Sequence, residues 1–401
     1  MYKILKYEKV INNFPQSKYN FLRFIKELSN GYFIIGAPGD VFYIYDQNFI
    51  YKKQIKIKVP KEEEFKKKFS TQIDTNNIIA NNNIKVQDKF FIINVLETND
   101  SKKSKRNFFE INICSKFVFT QNSFYFQNNN DNNTFNYRKI IIVPSNGYFE
   151  VDNNNYILYG EKGLFHFNKE PFNLKILEIQ DMHQFQKDER NFKGGIQLDN
   201  NLIALTSNKI LPLNGEDIII FYDIMNKKII NQCSNYSFVN NINGLALIDL
   251  EKNKKILLCA CKKYKNDQKN GILLINADIK ENEEINEKFF DTEEFEVNCF
   301  CPIKKIKSGN NNYKNNFFLV GGLDTGKRRG VIKIYKIILN GLEMNIELLQ
   351  EIFFEDSYNE GFEGTINCIV QSKQNGKIWV SCWDKKVYLY SEPNIELYLN
   401  E

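Results

Sequence analysis

Gly31-Tyr-Phe-Ile-Ile-Gly-Ala-Pro-Gly-Asp-Val-Phe-Tyr-Ile-Tyr45 and Gly376-Lys-Ile-Trp-Val-Ser-Cys-Trp-Asp-Lys-Lys-Val-Tyr-Leu-Tyr390 align without a gap from opposite ends of the chain. Each carries an apolar run, a pair of small residues, a tight turn, and a second apolar run ending in Tyr. Short β-branched and aromatic runs around a turn read as a β-hairpin. A hairpin found at both ends of one chain points to a repeat.

The same unit recurs between them. Phe317-Phe-Leu-Val-Gly-Gly-Leu-Asp324 leads into Val331-Ile-Lys-Ile-Tyr335, and Tyr156-Ile-Leu-Tyr-Gly160 into Leu164-Phe-His-Phe167. Leu202-Ile-Ala-Leu-Thr-Ser207 leads into Ile218-Ile-Ile-Phe-Tyr222, and Ile256-Leu-Leu-Cys-Ala260 into Gly271-Ile-Leu-Leu-Ile275. The weakest copy is Phe90-Phe-Ile-Ile93 with Phe108-Phe-Glu-Ile111. The second strands end at Tyr45, Ile111, Phe167, Tyr222, Ile275, Tyr335 and Tyr390, at intervals of 66, 56, 55, 53, 60 and 55 residues.

A minimal four-stranded propeller blade needs about 40–45 residues. The surplus falls in polar insertions at 99–107, 211–216, 262–270 and 325–330, and loops accept such length at small entropic cost. The reading is all-β: one seven-bladed β-propeller of four-stranded antiparallel blades over 1–401. Approximate blades are 21–57, 72–128, 139–180, 190–235, 240–290, 296–356 and 362–400. Closing the ring removes long exposed sheet edges. Residues 1–12 are expected to close the last blade, with Tyr2-Lys-Ile-Leu-Lys-Tyr7 and Ile395-Glu-Leu-Tyr-Leu399 bringing both chain ends into it. Lys61–Lys68 and Lys280–Phe290 are the two stretches that suggest short helices.

Composition narrows the function. Of 401 residues 42% are hydrophobic, enough for a large core, and 54 Lys+Arg against 49 Asp+Glu leave a formal charge of only +5. That balance disfavours nucleic-acid binding, which needs clustered positive charge. No apolar run approaches the 18 or so residues of a membrane span. The N-terminal stretch lacks the apolar core and cleavage site of a signal peptide, so a cytoplasmic protein is expected, with nuclear or cytoskeletal association left open. Two histidines, His166 and His183, leave little material for metal or general-base chemistry. Roughly one residue in seven is Asn, which suits turns and loop insertions.

The last copy carries a family resemblance. Gly361-Phe-Glu-Gly-Thr-Ile-Asn-Cys-Ile369 resembles the first strand of a WD40 repeat, and Ile378–Tyr390 its second and third. Asp384 falls where that family places a turn Asp, and Asp324 matches it in the preceding copy; Gly361 and Gly364 flank the first strand. The family's Gly-His pair is Gly361-Phe362 here, and its terminal Trp-Asp is replaced by endings such as Tyr45-Asp46, Tyr222-Asp223 and Tyr390-Ser391. The resemblance implies a degenerate WD40-like propeller acting as a non-catalytic platform for other proteins. It implies no cofactor, no catalytic residue and no small-molecule substrate.

Other candidates resolve toward structure. Gly321-Gly-Leu-Asp-Thr-Gly-Lys327 approaches a phosphate-loop spacing, but Arg328 stands where Ser or Thr would hold magnesium, and a strand follows instead of a helix. Cys259/Cys261 and Cys299/Cys301 sit two apart, so each pair shares a strand face and reads as core. His166 alternates with Phe165 and Phe167 and reads as an interior or rim side chain; His183 lies in a polar connector. Two basic loops are the candidate partner contacts: Lys327, Arg328 and Arg329, and Lys102, Lys103 and Arg106, the latter also a candidate import signal. An interaction scaffold is the leading function. A substrate-docking or regulatory propeller of a multidomain kinase or ubiquitin ligase comes second, and a propeller enzyme third.

Overall fold

The computed structural model describes residues 4–11, 14, 24–27, 31–36, 41–57, 90–98, 108–115, 119–125, 134–135, 137–141, 147–150, 155–160, 163–168, 173–176, 190–209, 218–233, 241–250, 254–262, 269–304, 316–354, 365–384 and 386–395. Among them there is no helix.

After β1 (Tyr7–Ile11), the first sheet runs β2 (Phe24–Glu27), β3 (Phe33–Gly36), β4 (Val41–Tyr45) and β5 (Tyr51–Ile57). The second begins with β6 (Phe90–Thr98), β7 (Phe108–Ser115) and β8 (Phe119–Tyr125). Then β9 (Thr134–Phe135) leaves to join β5, and β10 (Tyr137–Ile141) returns to β8. The third sheet is β11 (Gly147–Glu150), β12 (Asn155–Gly160), β13 (Gly163–Asn168) and β14 (Asn173–Ile176). The fourth is β15 (Arg190–Gln197), β16 (Leu202–Lys209), β17 (Ile218–Asp223) and β18 (Lys228–Cys233). The fifth is β19 (Asn241–Asp249), β20 (Lys255–Lys262), β21 (Asn270–Asn276) and β22 (Glu287–Glu293). The sixth is β23 (Phe295–Pro302), β24 (Phe317–Asp324), β25 (Arg329–Asn340) and β26 (Glu343–Phe353). The last holds β27 (Ile366–Gln371), β28 (Ile378–Cys382) and β29 (Val387–Tyr390), and its fourth strand is β1.

Four details depart from the expectations. The first sheet has a fifth strand, because β9 pairs with β5 in parallel through Lys56↔Thr134 and Ile57↔Phe135. A blade boundary at 139 would cut β10, which pairs with β8 through Ile140↔Thr120. Ile111 lies in a second strand while the other six repeat endpoints lie in third strands, so the endpoint equivalent to theirs falls later, in β8. Lys280–Phe290 is a turn followed by β22, since Phe289 and Phe290 pair with Leu273 and Ile272. The expected helix at 61–68 lies outside the described residues.

The apolar runs of β20 and β24 are continuous because their sheets are buried on both faces, and side chains alternate between those faces. In β24, Phe317 and Leu319 join the core shared with the last sheet, whereas Phe318 and Val320 join the core shared with the fifth. In β20, Leu257, Cys259 and Cys261 face the fourth sheet, and Ile256, Leu258 and Ala260 face the sixth. A further cluster joins the third sheet to the fourth through Ile157, Leu164, Ile203 and Ile220. The last sheet meets the first through Trp379, which is stacked between Phe33 at 3.8 Å and Phe49 at 4.0 Å. Full burial of each such large side chain stabilises by about 1.5–3 kcal/mol.

Five of the seven leading strands share one irregularity. Register shifts fall between Ile92 and Asn94, Phe192 and Gly194, Ile242 and Gly244, Val297 and Cys299, and Ile366 and Cys368. A bulge at this place sharpens the local twist and tilts each of these strands. In four of the five, the residue after the bulge is Gly or Cys. At Gly244 the need is for space, since a Cβ there would come 3.0 Å from the Asn298 carbonyl oxygen of the next sheet. Cys299 and Cys368 occupy the same place with a small side chain.

Candidate functional site

Successive antiparallel strands place the turns after the first and third strands of each sheet at one end, called lower here. Turns after the second strand, and the links to the next sheet, lie at the upper end.

The upper end holds Asp324, Lys327, Arg328, Arg329 and Asp384 of the residues singled out from the sequence. Thr325–Arg328 is the turn between β24 and β25, so the phosphate-loop-like segment is a hairpin with no helix behind it. Lys327 N–H donates to Asp324 Oδ1 at 2.8 Å, and the Thr325 N–H and hydroxyl both donate to the Glu294 carbonyl. The basic side chains do not form one exposed cluster. The Arg329 guanidinium lies 3.9 Å over the Phe353 ring and Lys327 Nζ 4.7 Å from the same ring, a cation–π arrangement, while Arg328 is exposed at φ 51°. In the last sheet Asp384 closes the β28–β29 turn. Lys386 N–H donates to Oδ1 at 3.0 Å, the Tyr388 hydroxyl donates to Oδ2 at 2.8 Å, and Lys386 Nζ stands 3.6 Å away. Trp383 beside it is 40% exposed.

Gly361, Gly364, Lys102, Lys103, Arg106 and His183 lie outside the described residues. His166 is half-buried in β13, opposite Ile157 and Lys175. Cys259 and Cys261 are fully buried in the core. Burial pushes the Cys301 thiol up to about 12 and the Cys259 thiol well above its ordinary value, so both stay protonated. Among the described residues no group of three or more His, Cys, Asp or Glu could hold a metal ion, and no helix is long and apolar enough to cross a membrane.

The lower end carries a cleft that none of those expectations reached. Its volume is about 610 Å³, and its walls come from the fourth, fifth and sixth sheets. Leu198, Ile256, Leu339 and Met344 form the apolar wall; Asp199, Asp278, Lys254 and Lys255 supply charge. The lower turns are stitched across sheets: Lys255 Nζ donates to the Leu198 carbonyl at 2.6 Å, and Asn286 Nδ2 to the Leu342 carbonyl at 2.9 Å. Gln371 exchanges two hydrogen bonds with the Lys304 backbone, and Glu27 accepts from Ser372 Oγ and Lys373 N–H. On the cleft's rim Gly341, at φ +67°, makes the tight β25–β26 turn and leaves Leu342 80% exposed. The neighbouring β17–β18 turn leaves Met225 71% exposed, and the β4–β5 turn leaves Ile50 55% exposed. The available signal was Gly341-Leu342 within an otherwise apolar run: a two-residue hairpin loop with Gly at its first position and Leu at its second.

No family model matches the chain, and no curated protein matches its sequence. Solved structures do match, 492 chains in all, and a fold so widely shared specifies architecture without a task. Among them is the crystal structure of Chaetomium thermophilum Raptor, with TM-score 0.56 and 10% identity, covering 98% of this chain and 29% of that one. The chain therefore spans less than a third of that protein's length, and at this identity what the two share is the fold.

Proposed function

We propose that the chain is a seven-bladed, WD40-like β-propeller serving as a non-catalytic, cytoplasmic scaffold that holds other proteins within a larger assembly. The observation that carries the reading is that Met225, Leu342 and Ile50, all large and exposed, sit on turns of the lower end. Large apolar side chains held out in solvent on one end of a well-packed body are candidate anchors for a partner. From the third sheet to the last, the sheets pack face to face in chain order and the last packs against the first, which supports the propeller, as does the WD40-like pattern of 361–391. Co-purification from native extract tests the function: a stable, stoichiometric assembly is expected, and catalytic turnover by the isolated chain would overturn the reading.

The second reading is a docking propeller belonging to a multidomain enzyme. It is favoured by the likeness to a chain of which this fold makes up only 29%. The mass of the polypeptide in native extract, read with an antibody to this chain, separates the two.

A further inference from the structure

We propose that the lower-end cleft docks a basic peptide segment of a partner protein, anchored by two large apolar side chains; this rests on the interaction reading above. The β21–β22 connection, Ala277-Asp-Ile-Lys-Glu-Asn-Glu-Glu-Ile-Asn286, has four acidic residues and one Lys. It is held between the two apolar tips. On one side Asn231 Nδ2 donates to the Lys280 and Glu283 carbonyls, and Lys228 pairs with Glu281 beside the Met225 turn. On the other, Asn286 reaches the Leu342 carbonyl and Lys288 pairs with Glu343. The order across three sheets is therefore apolar tip, acidic ridge, apolar tip, with the 610 Å³ cleft beside Leu342.

Complementarity then selects the occupant. Lys228 and Lys280 offset Glu281 and Glu283, which leaves Asp278 and Glu284 on the ridge without an ion pair to the described residues. Acid at the centre attracts Lys or Arg. Leu342 and Met225 at the flanks, with Leu339 and Met344 in the cleft, favour large apolar side chains on either side of that basic centre. An acidic segment would meet like charge there.

The test pans a displayed library of random linear peptides on the full chain, then titrates single enriched peptides by fluorescence anisotropy. Enriched peptides should carry net positive charge between apolar residues, and bind more weakly as salt rises. Leu342→Asp and Met225→Asp should each weaken them at least about ten-fold. Both positions are exposed turn tips, so unfolding curves should match the wild type. Glu284→Lys with Asp278→Lys should weaken binding without touching the apolar anchors. Failure to enrich any peptide, enrichment of neutral or acidic peptides, or wild-type affinity in Leu342→Asp would overturn the inference. If these variants still co-purify the native assembly unchanged, the scaffold function stands and only the assignment of this cleft falls.

Discussion

At Asp384 one carboxylate serves a backbone N–H, a tyrosine hydroxyl and a nearby ammonium within a single turn. Asp384→Ala orphans the first two, and should lower stability by about 1–2 kcal/mol in denaturant unfolding. Tyr388→Phe removes one bond and should lose about half of that; an unchanged midpoint for Asp384→Ala would show the carboxylate to be merely solvated. Trp379 sits at a different kind of joint. Its ring is stacked between Phe33 and Phe49 with no exposure, so Trp379→Ala should cost about 3–5 kcal/mol. Trp379 Nε1 is buried without a partner, so Trp379→Phe removes an unsatisfied donor along with some packing and should cost clearly less. Equal losses in the two variants would mean that stacking is not what holds this joint. The turn role of Asp384 could be read from its tight strand connection. The partners of Trp379 could not, because Phe33 and Phe49 come from the far end of the chain.

Turn carboxylates recur as a class of element. Asp46 accepts the N–H groups of Asn48 and Ile50 and pairs with Lys52 at 2.8 Å; Asp223 accepts from Asn226; Asp291 accepts from Glu293 and pairs with Lys269. Partial burial pushes all three carboxyls up, but these hydrogen bonds and cations outweigh it and hold each below the ordinary 3.8. A depressed value in the folded state contributes stability fully present above 3.8 and lost as pH falls through the lowered values. A triple Asp46→Asn, Asp223→Asn, Asp291→Asn variant should therefore melt below the wild type near neutral pH, and the gap should close under acid. A gap independent of pH would refute the electrostatic account. Strands were the legible elements here, since a two-sided core writes an unbroken apolar run such as Ile256–Ala260. Lys280–Phe290 misleads because Lys280–Asn286 is a polar turn and only Glu287–Phe290 enters the sheet. The recurrent bulge stayed hidden because Gly244 and Cys368 look unrelated until one sees that the same place demands only smallness.

Across the whole molecule, the last sheet is completed by the start of the chain. Its fourth strand is β1, paired with β29 through Tyr7↔Tyr390, Lys9↔Leu389, Val10↔Tyr388 and Ile11↔Val387. The pairing begins at Tyr7, where the apolar pattern had suggested 2–7, because Ile4 and Leu5 have another task. Both are buried against the sixth sheet, with their N–H groups donating to Gln350 Oε1 at 2.8 and 3.2 Å. Ser391 and Asn394 N–H groups return to the Lys6 and Ile4 carbonyls, and Lys377 pairs with Glu8. Of the expected C-terminal strand 395–399, only Ile395 is described, packed on the same core. The first residues thus tie the sixth sheet, the last sheet and the chain's far end together, and sheets held mainly by face-to-face packing can separate only if those ties break. Deleting residues 1–12 would leave β29 a bare edge, open to pairing with other chains, and would uncover Ile366, Tyr388 and Tyr390 of the shared core. The truncated protein should show a sharply lower melting temperature and a concentration-dependent loss to aggregates, although the segment carries no residue of the cleft. Ordinary termini fray and tolerate trimming. Unfolding of the truncated chain at the wild-type midpoint, without added aggregation, would show that β1 only decorates the sheet.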